Sequence, residues 1–340
     1  MSLGFLLGKR TDCDIINAAG LVLVPSGFVV DEEHLRLLDQ HQVKLSEVTW
    51  MGNGRNESIS TLDDKVQKVF QYNQDLFDRI YKIKKVPLLE IKNELLPIVQ
   101  EISEYPDLFQ LLAAMKRAEV NTYTFQHHIG VAVLTTLIGK WIGLEKTDLS
   151  LLTLAAILHD VGKVRISEDL WLKPGKLTDE EFAEIKLHTV YGYELLKATI
   201  GLSPRVAKVA LLHHERSDGN GYPLKLKGSR LDTFSRIVAV ADVFHAMSSK
   251  RPYRDTLSFH EVVSRMRKGA FGQIDPHISA MFLENIICSL IGKQVMLTDG
   301  QIGEVVYTNP HNDLRPLIRI GESLVNLSEM KQLHIADVLV

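Results

Sequence analysis

The chain is predicted to be mainly α-helical, with a mixed α/β module at its N terminus and a small β meander at its C terminus. Residues 107–290 show apolar positions at helical spacing between recognisable helix starts. These starts are capping boxes or cap residues before proline, at Thr178/Glu181, Ser258/Glu261, Ser203/Pro204 and Asp275/Pro276. After Cys288 the pattern changes to short apolar or alternating runs between turns, at Gln294–Thr298, Ile302–Tyr307, Leu317–Ile320 and Leu324–Leu327.

The first part of the chain combines short strands with helices. Gly20–Val30 is typical of two short strands around a Pro-Ser-Gly turn, and Asp31 begins a helix that reaches about His41. Ser60 and Asp63 have the spacing of a cap for a long amphipathic helix. We therefore predict a regulatory or dimerisation module, a main helical domain and a small β subdomain packed on it, at 1–110, 111–290 and 291–340.

Composition and charge narrow the class of protein. The 340 residues are 45% hydrophobic and 24% charged with a net charge of -3, so no basic excess indicates a partner that is a nucleic acid polymer. Cys13 and Cys288 are the only cysteines, which excludes a disulfide framework or a Cys-rich zinc site. Leu149–Leu158 is shorter than the ~18–20 residues that span a bilayer, and Leu3–Leu7 is too short for a signal peptide. We expect a cytoplasmic protein without a membrane span.

Histidines and aspartates recur along the helical part, about one helix and loop apart, at His127, His159, Asp160, His188, His213, His214 and Asp242. Such intervals are too long for a zinc finger but suit one ligand or ligand pair from each helix of a bundle. Asp242 follows an apolar run, where an ionised carboxylate is costly unless it is paired or bound to a metal. Each residue alone has an ordinary structural explanation. Together they predict a metal centre.

Two motifs connect these residues to a known family. His159-Asp160-Val161-Gly162-Lys163 resembles the HD motif of the HD phosphohydrolase superfamily. The segment from His213 to Pro223, which reads HHERSDGNGYP, is similar to the signature of the HD-GYP subgroup, and its flanking motifs follow in order. The resemblance covers about 110–290. It implies an HD-type helical bundle that hydrolyses the bacterial second messenger cyclic di-GMP at a bridged pair of metals.

The resemblance also implies a ligand set. One metal would be held by His127, His159, Asp160 and Asp242, and the other by His188, His213 and His214, with Asp160 bridging. Two divalent transition metal ions are expected, iron or manganese, with zinc and nickel as alternatives. Some relatives bind a third metal through a glutamate four residues before the first histidine. Tyr123 stands there in this chain, so we predict two metals and expect linear pGpG as the product, with GMP as the alternative.

A carboxylate-bridged metal pair acidifies a shared water, and the resulting hydroxide attacks phosphorus in line with the leaving oxygen. Asp160 is therefore predicted to be catalytic, together with Lys163, which would contact the non-bridging phosphate oxygens. The other predicted substrate contacts are Gly219 and Gly221 for close backbone approach, Tyr222 for base stacking, and Arg251 and Arg254 for phosphate or guanine. Glu215 is interpreted as orienting a histidine, and His128 and His245 as structural residues.

Three functions are compatible with the sequence. The first is a cyclic di-GMP phosphodiesterase, and the second is an HD hydrolase for another cyclic dinucleotide. The third is a receptor that binds the dinucleotide without turnover, which the complete set of proposed ligands disfavours. A homodimer is also compatible with the sequence.

Overall fold

The computed structural model describes residues 15–16, 22–24, 30–41, 61–117, 123–171, 173, 175–249, 257–269, 273–308, 315–330 and 332–339. The chain divides into two compact units, Met1–Ile59 and Ser60–Val340.

The first unit contains a short strand pair and a helix. Strand β1 (Ile15–Ile16) pairs antiparallel with β2 (Val22–Val24). Helix α1 (Glu32–Gln40) begins after Asp31, whose carboxylate accepts hydrogen bonds from two backbone amides of the first turn, at 3.0 and 2.9 Å. The helix predicted from Asp31 is thus confirmed. Of the two predicted strands, the first contains β2, and most of the second lies outside the described residues.

The second unit is built mostly of helices, and the mainly α-helical fold class is confirmed. The described helices are α2 (Leu62–Ile83), α3 (Leu88–Glu90), α4 (Leu96–Ile102), α5 (Leu108–Arg117), α6 (Tyr123–Trp141), α7 (Lys146–Leu158), α8 (Glu168–Trp171), α9 (Asp179–Lys186), α10 (His188–Lys197), α11 (Pro204–Leu212), α12 (Thr233–Ser248), α13 (Phe259–Gly269) and α14 (Pro276–Cys288). A π-helical turn joins α3 to α4, and 3-10 turns lie at Val161–Arg165 and Gly228–Arg230. Among these described helices, none has both the length and the apolar character to cross a bilayer.

Four of the predicted helix caps are confirmed, and the cap of α2 lies one residue later than predicted. Thr178, Ser203, Ser258 and Asp275 each accept a backbone amide at the start of their helices. Helix α2 is capped by Thr61 rather than by Ser60, because Thr61 Oγ1 accepts the amide of Asp64 at 3.2 Å. The sequence offers a hydroxyl residue followed three positions later by aspartate in both registers, so the spacing alone could not choose between them.

Helix α6 lies at the centre of the bundle, and all its residues from 127 to 139 are buried. A helix that is apolar on every side must be surrounded by others, and α6 packs against α2, α7 and α12. The Asn73 side chain donates a hydrogen bond to the Phe125 carbonyl at 3.1 Å, and the Phe77 and His128 rings lie 4.4 Å apart. Helices α2 to α5, most of which we assigned to the N-terminal module, therefore pack in the same unit as the main bundle.

A five-stranded antiparallel sheet ends the chain, in the order β6-β5-β4-β3-β7. Its strands are β3 (Gln294–Leu297), β4 (Ile302–Tyr307), β5 (Leu317–Ile320), β6 (Ser323–Asn326) and β7 (Ile335–Leu339). Strands β3 to β6 form the predicted meander, whereas β7 was missed and pairs with the other edge of β3. The sheet is attached to the helices by an ion pair between Lys293 and Asp107 and by stacked rings of His260 and His334.

Candidate metal centre

Five helices bring the predicted ligands to one place in the bundle. His127 lies in α6, His159 and Asp160 directly follow α7, His188 begins α10, His213 and His214 follow α11, and Asp242 lies in α12. The side chains form two groups, in each of which the ligand atoms lie within 4.8 Å of one another. The groups are Asp160, His188, His213 and His214 in one, and His127, His159 and Asp242 in the other.

Asp160 lies between the two groups. Its Oδ1 atom is 3.2 Å from Nε2 of His188 and 3.7 Å from Nε2 of His213. Its Oδ2 atom is 3.4 Å from Nε2 of His159, which belongs to the other group. A carboxylate with one oxygen facing each group has the geometry of a bridging ligand.

Two buried polar atoms of the cluster have no hydrogen-bond partner among the described residues. Within the described part of the chain, Asp160 Oδ1 and His159 Nε2 form no hydrogen bond, although neither atom reaches solvent. Leaving a buried acceptor unpaired costs about 1–3 kcal/mol, and more when the group is charged. A cation at each group would satisfy the unpaired atom on its side, Asp160 Oδ1 in one group and His159 Nε2 in the other, so the residues fit bound metal.

The imidazoles of His159, His188 and His213 are oriented by the helices that precede them. Their Nδ1 atoms lie 2.6, 2.6 and 3.0 Å from the carbonyl oxygens of Ala156, Ile185 and Ala210, three residues earlier. These carbonyls belong to the last turns of α7, α9 and α11. A carbonyl only accepts, so each Nδ1 carries the proton and each Nε2 presents its lone pair to the centre.

Electrostatics keep most of the ligands in the forms that bind metals. Burial would raise the pKa of the Asp242 carboxyl, but the hydrogen bond and charge of His127, whose Nε2 lies 2.9 Å from Oδ1, hold that pKa well below its usual range. Burial lowers the pKa of His213 and His214, which favours neutral rings. Burial opposes protonation of His159 too, but the charge of Asp160 outweighs it and raises the pKa of His159. A proton and a cation therefore compete for its Nε2.

Gly162 allows His188 to approach Asp160. A Cβ atom at this position would lie 1.9 Å from the His188 carbonyl oxygen and 2.3 Å from the Gly192 amide nitrogen. Helix α10 therefore packs directly on the turn that follows Asp160, and only a residue without a side chain permits that contact.

Glu215 organises the loop that follows the paired histidines. Its buried carboxylate accepts hydrogen bonds from the backbone amides of Leu224 at 2.6 Å and Leu226 at 2.9 Å. Its partners are thus loop amides rather than the histidine we expected. A Cβ atom at Gly221 would lie 2.4 Å from the Arg216 nitrogen, and Gly219 has a φ of +80°, so the loop's own packing requires both glycines. Their contact with a substrate stays a prediction.

Of the other predicted substrate contacts, Tyr222 and Lys163 lie at the cluster. The Tyr222 ring lies 4.8 Å from the His214 ring, at the edge of the cluster. Lys163 Nζ is 2.5 Å from Asp160 Oδ2, so the ammonium group contacts the carboxylate that lies between the two groups. Arg251 and Arg254 lie outside the described residues, as does the side chain of Tyr123.

His245, which is predicted from the sequence to be structural, adjoins the cluster. Its Nδ1 atom lies 3.0 Å from Nδ1 of His127. The sequence did contain a signal for this proximity. His245 lies three residues after Asp242, and this spacing puts both side chains on one face of α12. His128 is buried against Phe77, and neither of its ring nitrogens has a hydrogen bond among the described residues, which agrees with a structural role.

The bundle and its buried histidine-aspartate cluster, which is able to bind metal, define a metal-binding helical domain. The HD domain family matches residues 104–278, and the chain belongs to that family. The resemblance to its HD-GYP subgroup is confirmed.

The chain is similar to several characterised relatives. It is 31% identical over 227 residues to Cyclic di-GMP phosphodiesterase PA4108 of Pseudomonas aeruginosa, covering 66% of this chain and 54% of the relative. It is 36% identical over 185 residues to 3'3'-cGAMP-specific phosphodiesterase 1 of Vibrio cholerae, covering 54% of this chain and 42% of the relative. The chain thus spans about half the length of the curated relatives it matches.

One solved structure supports the fold. It is described as Bd1817, a HDG"Y"P protein from Bdellovibrio bacteriovorus, and it matches with a TM-score of 0.54 and 16% identity. The match covers 84% of this chain and 98% of the other. At that identity the likeness shows the fold alone.

Proposed function

We propose that the chain is a metal-dependent phosphodiesterase that hydrolyses cyclic di-GMP to linear pGpG. The observation that carries the proposal is the buried cluster of seven imidazole and carboxylate side chains with Asp160 between its two groups. The name of the Pseudomonas aeruginosa relative supports the substrate.

Each group of ligands would hold one divalent ion. His127, His159 and Asp242 would bind the first, and His188, His213 and His214 the second, with Asp160 bridging them. Iron or manganese is expected, with zinc and nickel as alternatives for the same donors. Ions bound there supply Lewis acidity at the phosphate and an activated water as the nucleophile.

Lys163 would stabilise charge on the substrate phosphate. Its ammonium group contacts Asp160 at 2.5 Å, and the side chain remains 25% exposed, so it lies at the border between the buried cluster and solvent. A phosphate that approaches from solvent can reach this ammonium group. We propose that Lys163 donates to a non-bridging oxygen, where negative charge increases as the nucleophile attacks.

Tyr222 is the proposed contact for a nucleobase. Its ring is partly exposed and lies beside the His214 ring, so a stacked base would be held close to the ligand cluster. Gly219, Gly221, Arg251 and Arg254 complete the proposed substrate contacts, and the linear dinucleotide is proposed as the product because Tyr123 offers no carboxylate for a third metal.

Hydrolysis of 3'3'-cGAMP is the second candidate function. A single observation favours it, the 36% identity to a relative named as specific for that dinucleotide. The hydrolytic chemistry would be the same, and the contacts to the two bases would decide between the substrates.

One incubation experiment separates these functions. The protein is purified without oxygen, loaded with Mn²⁺ or Fe²⁺, and incubated with cyclic di-GMP or 3'3'-cGAMP, and the products are separated by chromatography. We expect pGpG from cyclic di-GMP and faster consumption of this substrate than of 3'3'-cGAMP. The reverse preference would support the second candidate. Tight binding of either dinucleotide without any product would identify a receptor and contradict the proposal.

A further inference from the structure

The Nδ1 atoms of the proposed ligands face different kinds of partner. Those of His159, His188 and His213 each lie close to a backbone carbonyl three residues earlier, in the last turn of the preceding helix. His127 lies inside α6, where the carbonyls already accept helical amides, and its Nδ1 lies 3.0 Å from Nδ1 of His245 in α12. Nδ1 of His127 thus lies within hydrogen-bond distance of an imidazole nitrogen on a neighbouring helix.

We propose that His245 is a positioning residue that orients the His127 ligand through this Nδ1–Nδ1 hydrogen bond. The inference rests on the proposed metal centre and deepens it. With Nε2 of His127 turned to a metal, its Nδ1 carries the proton and donates to Nδ1 of His245. The proton of His245 then sits on its Nε2, and Ser249 Oγ lies 3.2 Å from that atom and 3.3 Å from Nδ1, at the ring edge between them.

An imidazole partner serves the metal-free site as well, which a carbonyl cannot do. Nε2 of His127 lies 2.9 Å from Asp242 Oδ1, and when the two share a hydrogen bond, Nε2 carries the proton and Nδ1 becomes an acceptor. His245 then donates through its own Nδ1. His127 can therefore exchange Asp242 for a cation without losing its hydrogen bond to His245.

The packing of α6 against α12 makes room for this contact. Gly130 lies one turn after His127, and a Cβ atom there would lie 2.0 Å from Nε2 of His245 and 2.3 Å from its Cδ2. Any side chain at this position would displace the buried His245 ring. Helix α12 thereby supplies one ligand, Asp242, and the partner of another.

Metal affinity, measured with Co²⁺ alone, tests the role of His245. Equilibrium dialysis without oxygen, metal analysis and the cobalt absorption spectrum are compared for the wild type and its variants. We expect about two ions per chain for the wild type and a loss of ~10–100-fold in affinity at one site in His245→Leu, with a changed spectrum. His245→Asn keeps an acceptor near the Nδ1 position and should bind both ions as the wild type does.

Two further variants make the test robust. Gly130→Ala should weaken the same site by displacing the His245 ring, and it serves as the test if His245→Leu does not fold. Phe244→Leu alters the core beside His245, where the Phe244 ring packs against Phe282, so it should lower stability and leave cobalt binding unchanged.

Three outcomes would overturn the proposal. The first is wild-type affinity at both sites in folded His245→Leu or in Gly130→Ala. The second is an equal loss in His245→Asn and His245→Leu, which would indicate a packing role instead of a hydrogen bond. A wild-type protein that binds no cobalt would contradict the metal centre itself, and so would fail at the proposed function before this inference is reached.

Discussion

Asp160 is the residue on which the proposed centre depends most. It is buried, and its two oxygens face both groups of imidazoles. Burial would raise its pKa, but Lys163 and His159 outweigh that effect and hold the pKa well below the usual range, so the residue is a carboxylate near pH 7. Removing it takes away the only side chain of the cluster that is placed to contact both proposed ions within the described residues.

Asp160→Ala should lose metal retention and turnover together. We expect the activity to fall by on the order of 100-fold or more, because both the bridging ligand and the charge that orients the neighbouring imidazoles are gone. Metal analysis and product chromatography measure the two effects. Asp148→Ala is the matched control, since this aspartate pairs with Arg205 away from the cluster and should change neither. Normal turnover in Asp160→Ala would refute the assignment.

His128 should make the metal-free protein sensitive to acid. Burial holds its pKa well below 6.5 in the folded state, so below about pH 6.5 the unfolded chain binds a proton that the folded chain refuses. The free energy of unfolding therefore falls with decreasing pH, by up to about 1.4 kcal/mol per pH unit for this residue.

His128→Leu should reduce that slope. Urea unfolding in the presence of a chelator measures how the free energy of unfolding changes with pH. Suitable values are about pH 7.5, 6.5 and 5.5, which bracket the ordinary histidine pKa of about 6.5. His277→Gln replaces an exposed histidine and serves as the control. An unchanged slope in His128→Leu would mean that His128 is not the source of the acid sensitivity.

Among the elements, helix ends make much of the site. The last turns of α7, α9 and α11 each place a backbone carbonyl beside one imidazole, so the position of these ligands follows from where each helix stops. A His or Asp directly after an apolar helical run is therefore a local signal, as at His159, Asp160, His213 and His214, whereas His127 and Asp242 lie inside α6 and α12. The contact of His245 with His127 joins α6 to α12, and no local pattern reports a contact between residues so distant in sequence.

Strands β3 to β6 could be predicted from local sequence, whereas β7 could not. Strands β3 to β6 follow one another through short turns, so alternation and turn residues identify them. Strand β7 pairs with β3, from which it is separated in sequence by β4, β5 and β6. That pairing depends on tertiary context. The cap of α2 was shifted by one residue because two adjacent registers have equivalent hydroxyl and aspartate spacing.

Gly162→Ala should separate α10 from the turn after Asp160. The added Cβ would strike backbone atoms of His188 and Gly192, which cannot rotate away, so we expect a loss of about 1–3 kcal/mol in stability and weaker metal binding. Chemical denaturation and cobalt titration measure both. Gly143→Ala is the control, because its Cβ would meet nothing within 4 Å while its φ of +80° costs about 1 kcal/mol. Full metal affinity in Gly162→Ala would contradict the close-approach argument.

At the scale of the whole molecule, the proposed ions would crosslink the second unit. Ligands come from α6, α10, α12 and the segments that follow α7 and α11, so bound metal would connect helices that are far apart in sequence. A ligand that binds only the folded state stabilises it by an amount set by its concentration relative to Kd, about 2.7 kcal/mol at one hundred times Kd.

Chelation should therefore lower the melting temperature, and Mn²⁺ should restore it. Differential scanning calorimetry on protein treated with chelator and then with Mn²⁺ measures the change. Asp160→Ala should respond much less to Mn²⁺ than the wild type, because the ions lose their shared ligand. An equal response in both proteins would show that the stabilising metal binds elsewhere in the chain.

Anomalous scattering data from a crystal of the Mn²⁺-loaded protein would locate the two metals proposed to bind at the seven clustered side chains. We predict two anomalous peaks, one within ligand distance of His127, His159 and Asp242 and the other within reach of His188, His213 and His214, with one oxygen of Asp160 on each. A single peak without Asp160, or no peak at this cluster in a protein that still turns over substrate, would contradict the account.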